Sequence, residues 1–174
     1  YISSDGLRSR RNYDSTATIY KLHPHNGSRT DWSHSSGDRE YTLPLITDDT
    51  VYVGGSSGTL YAVDKTTAEA AWTSATTGEI GSLGFANGIV YATSGETVSA
   101  FNADNGDERW KHPLGRSIGT PPTITDDTVY VGAGRTVHAI DIDTNTTEWS
   151  RSLESGIYSP SIANGTLYVG TRSG

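Results

Sequence analysis

The stretch AVDKTTAEAAW at residues 62–72 recurs as AFNADNGDERW at 100–110 and as AIDIDTNTTEW at 139–149. Each copy opens on a small alanine, carries Asp64, Asn102 or Asp141 two places on, passes through turn-forming residues and closes on a tryptophan. With Trp32 added, the four indoles Trp32, Trp72, Trp110 and Trp149 stand 40, 38 and 39 residues apart. A second ladder keeps step: VYVG from Val51, VYAT from Val90, VYVG from Val129 and LYVG from Leu167 place Tyr52, Tyr91, Tyr130 and Tyr168 at intervals of 39, 39 and 38. Two ladders of one period identify an internal repeat of about 40 residues.

Each period holds four short strand-like pieces. From Thr120 the chain reads PTIT, DDT, VYVGA, GRT, VHAIDI, DTNT and TEWSRS, and alternating positions such as Val129/Val131 and Val137/Ala139 mark strands with two faces. Asp48-Asp49, Ser57-Gly58, Asn87-Gly88 and Asn164-Gly165 supply the turns between them. A repeat of this length with four antiparallel strands and an aromatic marker describes one blade of a β-propeller, so the expected fold is all-β, built of four-stranded antiparallel blades.

The eleven-residue copies resemble the tryptophan-docking motif of the quinoprotein alcohol dehydrogenase-like, or PQQ-type, propellers. The resemblance implies that Ala62, Ala100 and Ala139 leave room for an indole from the adjacent blade, that Asp64, Asn102 and Asp141 cap the turn, and that Trp72, Trp110 and Trp149 wedge successive blades together. The first repeat departs from the pattern. KLHPHNGSRTDW puts Lys21 in the alanine place, Leu22 and His23 in the next two, and one extra residue before Trp32, so docking there is expected to be weaker or altered.

With strands lettered A to D from the central channel outwards, the expected order is BCD, three full ABCD blades, then AB, from a first B strand at Tyr1-Ile2-Ser3-Ser4. The whole chain, 1–174, then reads as a single propeller fragment: repeats at 1–40, 41–79, 80–117 and 118–156, and a partial repeat at 157–174. Propellers close with about four to eight blades. About four blades are present, and the expected parent is a ring of seven or eight; a closed four-bladed ring and two chains meeting as an eight-bladed pair are the alternatives. Further blades of the same ring, or a second chain meeting the open end blades, are therefore expected partners.

Composition narrows the function. Acidic residues outnumber basic ones by 20 to 13, giving a net charge of −7, and no nucleic-acid partner is expected, because phosphate contacts need clustered Lys and Arg. An acidic chain rich in Asp and Thr, with only Lys21, Lys65 and Lys111 as lysines, resembles the proteome of a salt-adapted, haloarchaeal-like microbe. The chain has no cysteine and no apolar run long enough to cross a membrane as a helix. The dehydrogenases in the resembled family hold their quinone with a vicinal disulfide, a tryptophan floor and a Glu/Asn/Asp calcium set. Without cysteine, and with every tryptophan in a docking place, neither PQQ nor Ca2+ is expected to bind here.

Other chemistry fares no better. Asp141-Ile-Asp143-Thr-Asn145 opens like a calcium loop, but Thr146 and Ser152 stand where Gly and Glu are required. His23 and His25 have no third ligand nearby, and His34, His112 and His138 are scattered over different repeats, so no metal site is expected. No Ser/His/Asp order recurs in a strand-turn-helix context, and no catalytic residue is nominated.

Two features remain as candidate binding groups. The first repeat carries an insertion, LRSRRNYDS at 7–15, whose Arg8, Arg10, Arg11 and Tyr13 form a basic-aromatic cluster suited to a carboxylate or an acidic surface. The segments leading into the innermost strands nominate Arg39, Glu79, Arg116 and Tyr158 at the channel mouth. Sequons at Asn26, Asn145 and Asn164 fit an exported or cell-surface protein. The expected function is a non-catalytic PQQ-like scaffold or binding module for a protein or polymer at the cell surface. The alternatives are part of a PQQ-dependent dehydrogenase with its cofactor site in other blades, and a sensor domain joined to a membrane or kinase segment.

Overall fold

A computed structural model of the chain describes residues 16–172, and among them all regular structure is β. The first sheet pairs β1 (Ile19–Leu22) with β2 (Arg29–His34). The second runs β3 (Leu45–Ile46), β4 (Thr50–Gly54), β5 (Thr59–Asp64) and β6 (Ala70–Ala75). The third runs β7 (Ile80–Ala86), β8 (Ile89–Ser94), β9 (Thr97–Asn102) and β10 (Glu108–Pro113). The fourth runs β11 (Thr123–Ile124), β12 (Thr128–Ala133), β13 (Thr136–Asp141) and β14 (Thr147–Ser152), and a fifth pairs β15 (Ser161–Ala163) with β16 (Thr166–Tyr168). Neighbours are antiparallel and follow chain order throughout. This is the expected blade pattern, short of the B strand at Tyr1–Ser4, which lies outside the described residues.

The period of two explains how each sheet serves two interfaces. Val51, Val53, Tyr61 and Val63 point from the second sheet towards the first, where they bury Ile19 and Trp32. Tyr52, Leu60 and Ala62, on the alternate positions, point towards the third sheet and meet Ile80, Val90 and Phe101. From the third sheet, Ile89, Tyr91, Val98 and Ala100 face Val129, Val131, Ile140 and Ile142 of the fourth. A strand buried on both faces must be apolar at successive positions, which is why VYVG and VYAT are nearly unbroken apolar runs.

Register repeats from sheet to sheet. Tyr52 lies opposite Ala62 and Ala62 opposite Trp72; Tyr91, Ala100 and Trp110 form the same row, as do Tyr130, Ala139 and Trp149. The two rings of each row approach over the alanine methyl, with centroids 5.8, 5.8 and 6.0 Å apart. This corrects the reason expected for the alanine. The indole it admits belongs to its own sheet, since a cross-strand neighbour shares its face.

The C–D turns are also alike. Asp64, Asn102, Asp141 and His23 each accept from the amide four places on, at Ala68, Gly106, Asn145 and Gly27, and these four residues have φ of 65, 77, 54 and 67°. The turn demands a left-handed residue there, and glycine or asparagine fills it at three of the four.

Candidate functional site

The joints between sheets come first, because they fix everything exposed at the ends of the strands. Trp72 donates its Nε1 hydrogen to Ala103 O at 2.9 Å, and Trp110 donates to Ile142 O at 2.9 Å, each reaching the C–D turn of the next sheet. Trp32 donates to Asp64 O at 3.0 Å, one residue earlier in the turn than in the other two joints. The extra residue of the first repeat is taken up between β1 and β2, where Tyr20 faces Ser33 but Leu22 faces Arg29. Trp32 is 8% exposed, whereas Trp149 is 42% exposed and its Nε1 has no acceptor among the described residues.

A second contact lies two places past each of Trp32, Trp72 and Trp110. His34 Nδ1 bonds Ala68 O at 3.0 Å, Ser74 Oγ donates to Gly106 O, and His112 Nδ1 lies 3.3 Å from Asn145 O and 3.0 Å from its Oδ1. His34 and His112, read from the sequence as scattered, therefore occupy one equivalent place. Their phase relative to Trp32 and Trp110 was the available signal. His138 is pushed below the ordinary histidine range, first by burial and then by the nearby His112.

The turn carboxylates are engaged locally. Asp64 Oδ1 accepts from the amides of Thr66 and Thr67 at 2.7 Å each, Asn102 Oδ1 from Asp104 N at 2.8 Å, and Asp141 Oδ1 from Thr144 N at 2.6 Å and its hydroxyl at 2.7 Å. These bonds hold the carboxyls of Asp64 and Asp141 below the usual range, led by the Thr67 amide and the Thr144 hydroxyl respectively. The Asp141–Asn145 segment is thus a capped turn. Among the described residues no three His, Asp or Glu side chains gather as metal ligands.

Among the described residues Asp38 is the one buried charged side chain. It is 6% exposed and joins the first sheet to the second, accepting from Tyr61 Oη at 2.6 Å and Ser57 N at 2.7 Å, with the Ser36 and Ser56 hydroxyls at 3.5 Å. Burial alone would raise its pKa, but the bonds from Tyr61 and Ser57 outweigh it and hold the carboxyl below its ordinary value. Gly55 has no side chain to spare the contact: a Cβ there would lie 2.4 Å from Asp38 Oδ2.

An antiparallel order puts the B–C and D–A connections at one end of every sheet and the A–B and C–D turns at the other. At the first end, two adjoining cavities of about 430 and 480 Å³ open beside the third sheet. The inner one is walled by Leu43, Leu45, Leu83, Ile118 and Pro121; the outer one is polar, with Glu79, Glu96, Ser94, Thr97 and Ser117; Gly81, Thr93 and Ile118 belong to both. Leu43 is 89% exposed.

Of the nominated residues, Glu79 lines the outer cavity and Arg116 is exposed next to its Ser117. Arg39 is exposed beside Asp38 and lines neither cavity, and Tyr158, 58% exposed, belongs to the approach to the fifth sheet. Arg8, Arg10, Arg11 and Tyr13 lie outside the described residues. Glu96 was not nominated, although its place in the B–C turn of the third sheet puts it on the same end as Glu79. At the opposite end Asp48, Asp49, Asp104, Asp107, Asp126, Asp127 and Asp143 sit in or beside the turns, so the acid excess is concentrated there. Lys111 and Glu108, 3.6 Å apart, form the one ion pair among the described residues.

The family model described as outer membrane protein assembly factor BamB matches residues 15–116 and 94–174. No curated protein matches the chain. Among solved structures, BamB from Moraxella catarrhalis superposes with a TM-score of 0.76 at 20% identity, over 99% of this chain and 60% of its own. The computationally designed Ika8 protein gives 0.76 at 20% identity over 91% of this chain and 50% of its own. A europium-containing methanol dehydrogenase gives 0.57 at 25% identity, over 63% of this chain and 24% of its own. The chain therefore spans half to three fifths of the first two proteins, and the likeness to them establishes the propeller fold.

Proposed function

The chain belongs to the family of outer membrane protein assembly factor BamB, and on that premise we propose that it is a non-catalytic propeller module that binds a protein or polymer partner at the cell surface. The observation that carries this reading is the groove beside the third sheet, apolar at its channel end and charged at its rim. Leu43, Leu45 and Leu83 offer an apolar seat for an apolar side chain, while Glu79, Glu96 and Arg116, none of them in an ion pair with another described residue, offer charges that fix orientation. Strand residues Leu45, Gly81, Leu83 and Thr93 and the connections between strands wall the groove together.

The test is charge reversal. Immobilised chain, and a variant carrying Glu79→Lys, Glu96→Lys and Arg116→Glu, are compared for capture from an envelope extract. Capture should fall at least tenfold; equal capture of the same species by both removes the groove from the reading. The part expected of Arg8, Arg10 and Arg11 is tested in the same assay by reversing those three charges.

The dehydrogenase alternative is supported by the likeness to a methanol dehydrogenase, but the residues present do not fit a quinone. The chain has no cysteine, and Trp32, Trp72 and Trp110 are held in joints. Addition of PQQ with Ca2+ is expected to leave absorbance and melting midpoint unchanged. Saturable binding would instead favour the enzyme. The acidic turns at the far end favour hydration and solubility in concentrated salt, in keeping with a salt-adapted source.

A further inference from the structure

Of the three Asn-x-Ser/Thr sequences, those at Asn26 and Asn145 both fall in the C–D turn of a sheet, in opposite settings. Asn145 is the left-handed residue of its turn, with φ of 54°. Its Nδ2 donates to Lys111 O at 3.3 Å, and the His112 ring spans the whole sequence, with Nδ1 3.0 Å from Asn145 Oδ1 and Nε2 2.9 Å from Thr147 Oγ1. Glycan transfer to such a sequence needs the asparagine amide and the hydroxyl two places on, and β10 of the preceding sheet holds both.

Asn26 stands one place earlier in its turn, ahead of the left-handed Gly27, and every residue of 23–29 is exposed. That exposure belongs to the place in the turn. Thr67, Asn105 and Thr144 occupy it in the next three sheets, and all are exposed although Trp32, Trp72 and Trp110 are docked in those turns. Asn26 Oδ1 accepts from the Ser28 amide at 3.0 Å and from the Ser28 hydroxyl at 2.8 Å. With the oxygen of the planar carboxamide bonded into the turn, Nδ2 is left without an acceptor among the described residues. The same two bonds draw electron density towards Oδ1, so an Nδ2 proton is given up more readily.

We propose that Asn26 is a site of N-linked glycosylation and that the fold withholds Asn145 from it. The proposal rests on the cell-surface setting given above. The donor is an oligosaccharide carried on a polyisoprenyl diphosphate. Nδ2 attacks the anomeric carbon and a C–N bond forms; the C–O bond to the diphosphate breaks, its electron pair leaves on the lipid diphosphate, and one Nδ2 proton goes to that leaving group. Nothing is oxidised or reduced. The glycan would project from the end of the sheets that carries the acidic turns, opposite the groove, and would leave the groove open. Asn164 stands in an A–B turn, where its counterpart Asn87 donates to Asp126 O across a joint, and it forms no part of the proposal.

The test incubates the folded 174-residue chain with lipid-linked oligosaccharide and an oligosaccharyltransferase that accepts the bare Asn-x-Ser/Thr sequence, beside synthetic peptides of residues 22–30 and 141–149. Mass mapping should find glycan on Asn26 of the folded chain and none on Asn145, with both free peptides modified. Ser28→Ala, at an exposed position, should abolish transfer to Asn26 and leave the melting midpoint unchanged. A folded chain left bare at Asn26, or modified at Asn145 as readily as at Asn26, overturns the proposal. Refusal of the 141–149 peptide also overturns it, because the sequence and not the fold would then protect Asn145. The reaction uses purified chain and does not read capture by the groove, so its failure and that of the binding reading are distinguishable.

Discussion

Asp38 shows how far a single residue can depend on neighbours distant in sequence. Its donors, Ser57 and Tyr61, come from the second sheet, and among the described residues its charge is stabilised by hydrogen bonds and no cation. In the sequence of 38–41 Arg39 stands out as the binding candidate, since a guanidinium suits recognition and nothing in the segment reveals which side chain turns inwards. Asp38→Asn is expected to cost about 1–3 kcal/mol, because charge-assisted bonds are weakened at a buried site. The carboxyl's pKa is depressed in the folded chain, so its stabilisation is complete above the unfolded-state pKa and is lost as pH falls through the folded value. Urea midpoints followed from about pH 7 down to about pH 3 should therefore fall more steeply for the parent than for Asp38→Asn. Parallel curves would show that the charge contributes nothing.

At the scale of the element, the C–D turn is where sequence and packing meet. Its left-handed residue was foreseeable from the Asp, Asn and Gly that recur there, but its second duty was not: Gly106 is also the floor under the Trp72 ring. The two demands can be separated. Gly106→Ala meets both the positive φ and the indole, and should destabilise by about 2–4 kcal/mol. Gly88→Ala, with φ of 71° and nothing near its Cβ, meets only the first and should cost about 1 kcal/mol. Chemical denaturation of both variants checks this, and equal losses would mean the ring simply moves aside. The row of Tyr, Ala and Trp was equally legible as spacing, yet which sheet supplies the ring over the alanine became clear only from the pairing of Ala62 with Trp72.

Taken as a whole molecule, the chain is a file of sheets, each packed only on its neighbours, so stability is expected to be graded along it. The third sheet is covered on both sides, and all six residues of β8 are buried; β15 and β16 hold no buried residue. Amide exchange should be slowest in β8 and β9 and fastest in the fifth sheet, and uniform protection would refute the graded picture. The sequence by itself determined the repeat, the strand order and the all-β class, because period and alternation are local properties that every blade states again. Only the tertiary structure decided which exposed charges share a groove, as with Glu79 and Glu96, and which polar residue is buried, as with Asp38. Those outcomes depend on pairing in space: Glu79 and Glu96, 17 places apart, are brought together by the folding of the third sheet, and Asp38 meets Ser57, 19 places on, where the first sheet is set against the second.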